Sequence, residues 1–280
     1  MYGIVALHGP STSGKSTLAR MASMYLPNPV RLFSNAAVLR RTSAAMFDLP
    51  LFVFSEPYKD VPFSELARLG GPLHGIAFPR KGTNRAFVNL DDIEVPNTLP
   101  LQEVIAESDW TPRKILNAFG ASNDRYPQMT WANGVIEGIG RALNNGVDKI
   151  GDGHPPLFFI TDVRYPHEYL ALRQLENAEP AVLLPVNIEP GTVDRSSTHY
   201  SEHALDSNAD WHAAAQTVLT RQEKCLDYLP SAERRWAAER GNDGYAFGSF
   251  RLLCHYLHKK GLLKVSVDKV MDAARNAVHN

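Results

Sequence analysis

The chain has little cysteine. Cys225 and Cys254 are its only two, far apart and without the Cys-x-x-Cys spacing or histidine partners of a zinc site. A disulfide framework is therefore not expected, and both thiols read as reduced groups in or near a core. Excess charge of either sign is also missing: 29 Lys and Arg stand against 30 Asp and Glu, for a net charge of −1. No broad electrostatic footprint for duplex nucleic acid follows. Nucleic acid is not an expected partner, although a local basic cleft stays open, because net charge averages over the surface. Long apolar runs are absent, and the first one is far too short to span a membrane. It also lacks the basic flank and cleavage site of a secretory signal, so no membrane partner is expected. The cytoplasm is the expected compartment, a host's if the chain is viral. No internal repeat or low-complexity tract is evident.

What is present is 280 residues, 44% of them hydrophobic. That suits one α/β domain with insertions, or at most two small domains. Gly9-Pro10-Ser11-Thr12-Ser13-Gly14-Lys15-Ser16 matches the phosphate-binding pattern G-x-x-x-x-G-K-[ST]. Each fixed position has a mechanical reason. The glycines let the backbone curl so that successive N–H groups point at phosphate oxygens. Lys15 can reach the β- and γ-phosphates, and the Ser16 hydroxyl can hold Mg²⁺. An apolar run, Tyr2–Leu7, reads as a buried strand before the loop. Residues 16–25 carry Leu18, Ala19, Met21, Ala22 and Tyr25 at helical spacing after it. Strand, loop and helix come in the required order.

Further along, residues 30–33 read as a strand and 35–47 as a helix closed by Pro50. Residues 51–75 are irregular. Residues 76–90 resemble a hairpin around Lys81-Gly82-Thr83-Asn84, with Pro79 marking an edge strand. Short helices are expected over 98–108 and from Thr111-Pro112, and a longer one over about 128–145. Leu157–Ile160 is the strongest strand and runs into Thr161-Asp162. A helix over 166–176 and a strand over 181–186 follow. This order argues for parallel crossovers in an α/β sheet. From 208 onward the chain reads as helical and charged, ending in one or two helices over 250–278.

Asp162 stands at a strand's carboxyl end, where open α/β sheets bind ligands. It can order Mg²⁺ or its waters, or accept a proton; alternatively it caps the next helix. Arg164, two residues on, can clamp a phosphate or form a surface ion pair. Arg40, Arg41, Lys59, Arg113, Lys114 and Arg125 offer further positive charge, and composition does not choose among them.

Four blocks together resemble the bacteriophage deoxynucleoside monophosphate kinases. They are the 9–17 loop; Asp109–Gly120 with Arg125 and Trp131; Thr161–Glu168; and Thr198–Glu202. The match spans about residues 1–212. The resemblance implies a P-loop fold of the nucleoside-monophosphate-kinase kind: α/β, with a central parallel sheet flanked by helices. The residues themselves add a hairpin-containing insertion on the substrate side at about 51–110, and a helical C-terminal extension over 213–280 that is expected to pack on the same domain. It implies transfer of the γ-phosphoryl of ATP to a deoxynucleoside 5′-monophosphate. By position, Gly9, Ser11, Thr12, Ser13, Gly14, Lys15, Ser16 and Thr17 would hold ATP, and Ser16 and Asp162 would hold Mg²⁺. Lys15, Asp162, Arg164 and Arg125 would be catalytic. Lys59, Arg113, Gly120, Arg125, Trp131, Asp162, Arg164 and Glu168 would face the acceptor. Trp131 would stack on the base or else belong to a core, and Glu168 is alternatively a first-turn helix acid. His199 and Glu202 would close a loop. A homodimer is also implied.

Departures exist. Gly120-Ala121-Ser122 replaces the family's Gly-Thr-acid, and the chain continues well beyond the usual C-terminal stretch. Two rival readings therefore stay open. One is a kinase for a modified base in phage DNA or another hydroxyl acceptor. The other is an ATPase switch that needs no acceptor.

Overall fold

The computed structural model describes residues 1–69, 71–74, 111–122, 131–147, 153–191 and 204–279. The side chains of residues 46, 118–122 and 279 lie outside the description. The expected hairpin at 76–90 and helix at 98–108 fall outside these residues, as do Arg125, His199 and Glu202.

The chain separates into two compact units, residues 1–35 with 132–280, and residues 36–131. Residues 213–280, expected as an extension packed on the domain formed by 1–212, fall in the same unit as residues 1–35 and 132–212. The larger unit holds a five-stranded parallel sheet in the order β2-β3-β1-β4-β5. Its strands are β1 (Tyr2–His8), β2 (Val30–Phe33), β3 (Leu157–Ile160), β4 (Ala181–Pro190) and β5 (Gln216–Thr220). β1 lies between β3 and β4, with Ile4 opposite Phe158 and Leu183. All seven of its residues are buried, as a strand covered on both faces requires.

The first helices in chain order are α1 (Lys15–Tyr25), α2 (Asn35–Met46), α3 (Phe63–Leu66), α4 (Pro112–Ser122) and α5 (Trp131–Asn144). Then come α6 (Pro166–Ala178), α7 (Ala209–Ala214), α8 (Ser231–Ala238), α9 (Asn242–Lys259) and α10 (Val267–His279). Pro112 and Pro166 open α4 and α6, where a missing N–H costs nothing.

Residues 213–280 are not a purely helical extension. Residues 216–220 form β5, paired in parallel with the end of β4 from Val186↔Gln216 to Pro190↔Thr220. α9 and α10 share one apolar cluster with β1, β3, β4 and α1, built around Val5, Leu18, Phe159, Leu184, Phe250, Leu253 and Met271. The C-terminal segment is thus part of the larger unit's core. The smaller unit has its own cluster, in which Phe47, Phe54, Phe63, Leu66, Ile115 and Trp131 are buried.

No helix among the described residues is long and apolar enough to cross a membrane.

Candidate functional site

Two loops meet at one end of the larger unit's sheet. β1 and β3 are hydrogen-bonded parallel neighbours, so their carboxyl ends emerge side by side. After β1 the chain travels past β3 to β2, and after β3 it travels past β1 to β4. Right-handed crossovers send these connections to opposite faces. A crevice opens between such strand ends, the usual ligand position in an open α/β sheet.

The first loop, residues 9–14, curls sharply. Gly9 has φ +144° and Gly14 has φ +98°, values that side chains with a Cβ rarely adopt. A Cβ on Gly9 would also stand 2.5 Å from the Ile188 carbonyl oxygen. Thr12, with φ +60°, completes the curl, and such non-glycine strain clusters at functional sites. The Lys15 ammonium folds back over the loop. It donates to the carbonyls of Gly9 (2.7 Å) and Pro10 (2.5 Å) and to Ser13 Oγ (3.2 Å). Gly14 caps α1, whose first N–H groups have no partners within the helix and carry the positive end of its dipole. Ser11, Thr12, Ser16 and Thr17 are exposed, whereas Ser13 is buried. Thr220, at the end of β5, donates its hydroxyl to the Ser13 carbonyl at 2.6 Å. The arrangement concentrates positive potential in a small concave loop, which suits an anion with several oxygens.

The second loop follows β3. Val163 N–H donates to the Leu7 carbonyl at 3.0 Å, and Thr161 N–H to Phe33 at 3.0 Å. These bonds fasten residues 161–164 to the ends of β1 and β2. Asp162 is buried, and its carboxylate reaches the start of α2. Oδ1 accepts from Asn35 N–H at 2.8 Å and Oδ2 from the Ser34 hydroxyl at 2.9 Å. Asp162 therefore does cap a helix, but α2 rather than the helix that follows it in sequence. Arg164 is half-buried beside it.

Glu168 turns to the backbone. Its Oε2 accepts from the N–H groups of Arg164 (2.7 Å) and Tyr165 (3.1 Å), within a capping box at the start of α6. Burial pushes its carboxyl up to about 8, Asp162 adds to this, and the two N–H donors oppose it. Both N–H bonds end on one oxygen, so Oε1 can carry the proton. The folded protein keeps that proton at pH values where the unfolded chain, near 4.5, has released it. Unfolding free energy should then fall as pH rises from about 4.5 to about 8. The slope is at most ~1.4 kcal/mol per pH unit. Glu168→Gln should flatten that slope in urea titrations across this range; an unchanged slope would assign it to other groups.

His8 was not among the residues expected at the site. It ends β1, directly before Gly9, and is buried. Nδ1 stands 2.9 Å from the Val163 carbonyl; a carbonyl only accepts, so Nδ1 carries hydrogen. Nε2 is 3.4 Å from Asp206 Oδ1. The ring meets Trp211 edge-on at 5.6 Å, and Trp211 meets Tyr169 in the same way at 5.1 Å. Burial holds the His8 pKa below its usual value, the Val163 and Asp206 contacts oppose this, and nearby Lys15 adds to the lowering. One polar residue closing an apolar strand was the available signal in the sequence. Ser34, Asn35 and Thr220 were missed too, because only the sheet brings them to these loops.

In the smaller unit, Lys59 pairs with Glu56, and Arg113 pairs with Asp60 through Nε and through Nη2 at 2.9 Å. This pairing holds the Asp60 carboxyl below, and the Arg113 guanidinium above, their usual values. Arg113 N–H donates to the Lys59 carbonyl at 2.8 Å, so the two residues are adjacent along their main chains. Trp131 is buried in that unit's apolar cluster. Gly120 lies within α4, and Arg40 is half-buried on α2.

Among the described residues there is no cluster of three or more His, Cys, Asp or Glu side chains arranged to hold a metal ion. Ser16 and Asp162 are oxygen donors of the type Mg²⁺ prefers, and that ion keeps several waters of its own.

A scan against protein-family models finds no match to this chain, and a search of curated proteins finds no similar sequence.

Proposed function

We propose that the chain is a phosphotransferase that moves the γ-phosphoryl group of ATP to a deoxynucleoside 5′-monophosphate. The observation that supports this most is the meeting of residues 9–16 with Asp162 and Arg164 at the carboxyl ends of β1 and β3. The G-x-x-x-x-G-K-S pattern, its strained curl and its overlying ammonium make a phosphate cradle with the features expected of a P-loop kinase.

In this reading the γ-phosphorus forms a bond to an acceptor phosphate oxygen. The bond to the β–γ bridging oxygen breaks, and ADP departs with that electron pair. The acceptor oxygen is already largely ionised near neutral pH, so no strong general base is needed. Lys15 and Arg164 spread the charge that develops on the transferred group. Ser16 would hold Mg²⁺ directly. Asp162 would hold it through water, since each of its oxygens already accepts a protein hydrogen bond. The bound ion would neutralise phosphate charge.

The acceptor assignment comes from the resemblance, which points to Lys59, Arg113, Gly120, Arg125 and Trp131. Lys59 and Arg113 suit an anion, because each is paired with a well-exposed carboxylate. Exposed pairs are worth little, so a phosphate can replace the acid at small cost. Trp131 is buried among apolar side chains and is better suited to holding that unit together than to stacking on a base.

Labelled ATP offered with each dNMP, with hydroxymethylated DNA, and with no acceptor tests the proposal. Label should appear in a deoxynucleoside diphosphate, with ADP release stimulated by the same dNMP. Label in DNA, or ADP release indifferent to acceptor, would replace this function with one of the rival readings.

A further inference from the structure

β1 ends on a buried polar side chain, His8, directly before the first glycine of the 9–14 loop. Its last two residues hold both peptide groups of Val163. Val163 N–H donates to the Leu7 carbonyl at 3.0 Å, and the Val163 carbonyl accepts from His8 Nδ1 at 2.9 Å. Val163 stands between Asp162 and Arg164. The imidazole thus helps to set the spacing between the loop and the Asp162–Arg164 segment.

The second ring nitrogen faces an acceptor too. Nδ1 points at a carbonyl and holds hydrogen, so a neutral ring turns the bare lone pair of Nε2 toward Asp206 Oδ1 at 3.4 Å. Only the imidazolium, with hydrogen on both nitrogens, satisfies both oxygens. Burial opposes that charge most, and Lys15, at the start of α1, opposes it as well. The Val163 carbonyl and Asp206, on the turn before α7, favour it. α7 contributes the Trp211 ring, backed by Tyr169 of α6, and places His212 Nε2 2.6 Å from the Asp206 carbonyl. β4 sets Asn187 beside His8 in register, and Asn187 donates to Glu189 at 3.2 Å. The Asp206 side chain is exposed, so a proton from solvent reaches Nε2 along it.

We propose that His8 is a positioning residue that takes up a proton when polyphosphate occupies the 9–14 loop, and that Asp206 then accepts the new Nε2–H. The proposal rests on the reading of that loop as a phosphate cradle and not on the choice of acceptor. Phosphate oxygens over residues 9–16 offset the charge of the Lys15 ammonium, which removes one of the two influences against the imidazolium. The imidazolium in turn adds positive potential beneath the phosphates and clasps the Asp206 turn to the base of the loop. By linkage, each binding event favours the other to the same degree.

Ring NMR on the full chain, with His8 assigned by through-bond correlation to its backbone, tests this with and without saturating MgATP. The His8 pKa should rise by about one unit on binding, which corresponds to about a tenfold gain in affinity between pH values above and below the titration. His8→Asn keeps a donor toward Val163 but cannot ionise. In calorimetry it should match the unaltered chain at high pH and lack the tenfold gain at low pH. Asp206→Asn should lower the His8 pKa in both the free and the bound protein. A His8 pKa that MgATP leaves in place overturns the proton uptake, and this is read on the unaltered chain whether or not a variant folds. A folded His8→Asn weakened by one factor at every pH makes the ring merely structural and overturns it too. An unmoved His8 pKa in Asp206→Asn removes Asp206 as the partner. Failure of MgATP to bind at any pH removes the cradle reading, and this proposal with it.

Discussion

Lys15→Ala should lower phosphoryl transfer to dNMPs by on the order of 10³-fold, the upper range for losing one preorganised donor at a charge-developing site. The ammonium sits over the loop on two carbonyls and a hydroxyl, so it is already positioned before the reaction. Its removal exposes those oxygens to water rather than burying them, since the contacts are only partly buried. The stability loss should therefore stay near ~1 kcal/mol. Lys15→Arg should rescue little, because a planar fork cannot replace a compact ammonium inside the curl. Turnover measured beside thermal unfolding separates the two effects. A Lys15→Ala protein with normal turnover would end the kinase reading.

Asp162→Asn should produce the second large effect, and a mixed one. The wild-type carboxylate accepts the first N–H of α2 and the Ser34 hydroxyl. An amide keeps one acceptor but loses the charge that favours the helix N-terminus. Stability should fall by about 1 kcal/mol, while turnover falls by on the order of 10²-fold. The kinetic loss should lessen as Mg²⁺ is raised, because a weakened ion site fills at higher concentration. Turnover followed through a Mg²⁺ titration checks this. If stability drops and turnover does not, Asp162 is a tie between β3 and α2 and nothing more.

Much of the larger unit was legible residue by residue. β2 and the start of α2 lie where apolar patterning and the Phe33-Ser34-Asn35 boundary put them. α1 begins at Lys15, and β3 occupies Leu157–Ile160. β5 was not legible. Gln216–Thr220 follows an alanine run and precedes charged residues, so its local pattern resembles the helices around it. Its pairing with Val186–Pro190 decides the matter, and strand preference depends on such neighbours more than on the residue itself. Glu168 shows the same limit at a single residue. Its type suited either a crevice acid or a first-turn acid. The bonds from Arg164 and Tyr165 N–H show it capping its own helix.

The sequence by itself determined the curl at 9–14, the lysine that follows it and the strand and helix on either side. These depend on backbone sterics and on contacts a few residues apart, which glycine placement and apolar spacing encode directly. Only the tertiary structure decided that Asp162 binds Ser34 and Asn35, that His8 lies between Val163 and Asp206, and that Thr220 closes on Ser13. Those contacts join segments far apart in the chain. They follow from the order in which five parallel strands pair, and that order arises from burial shared across the whole sheet rather than from any local pattern.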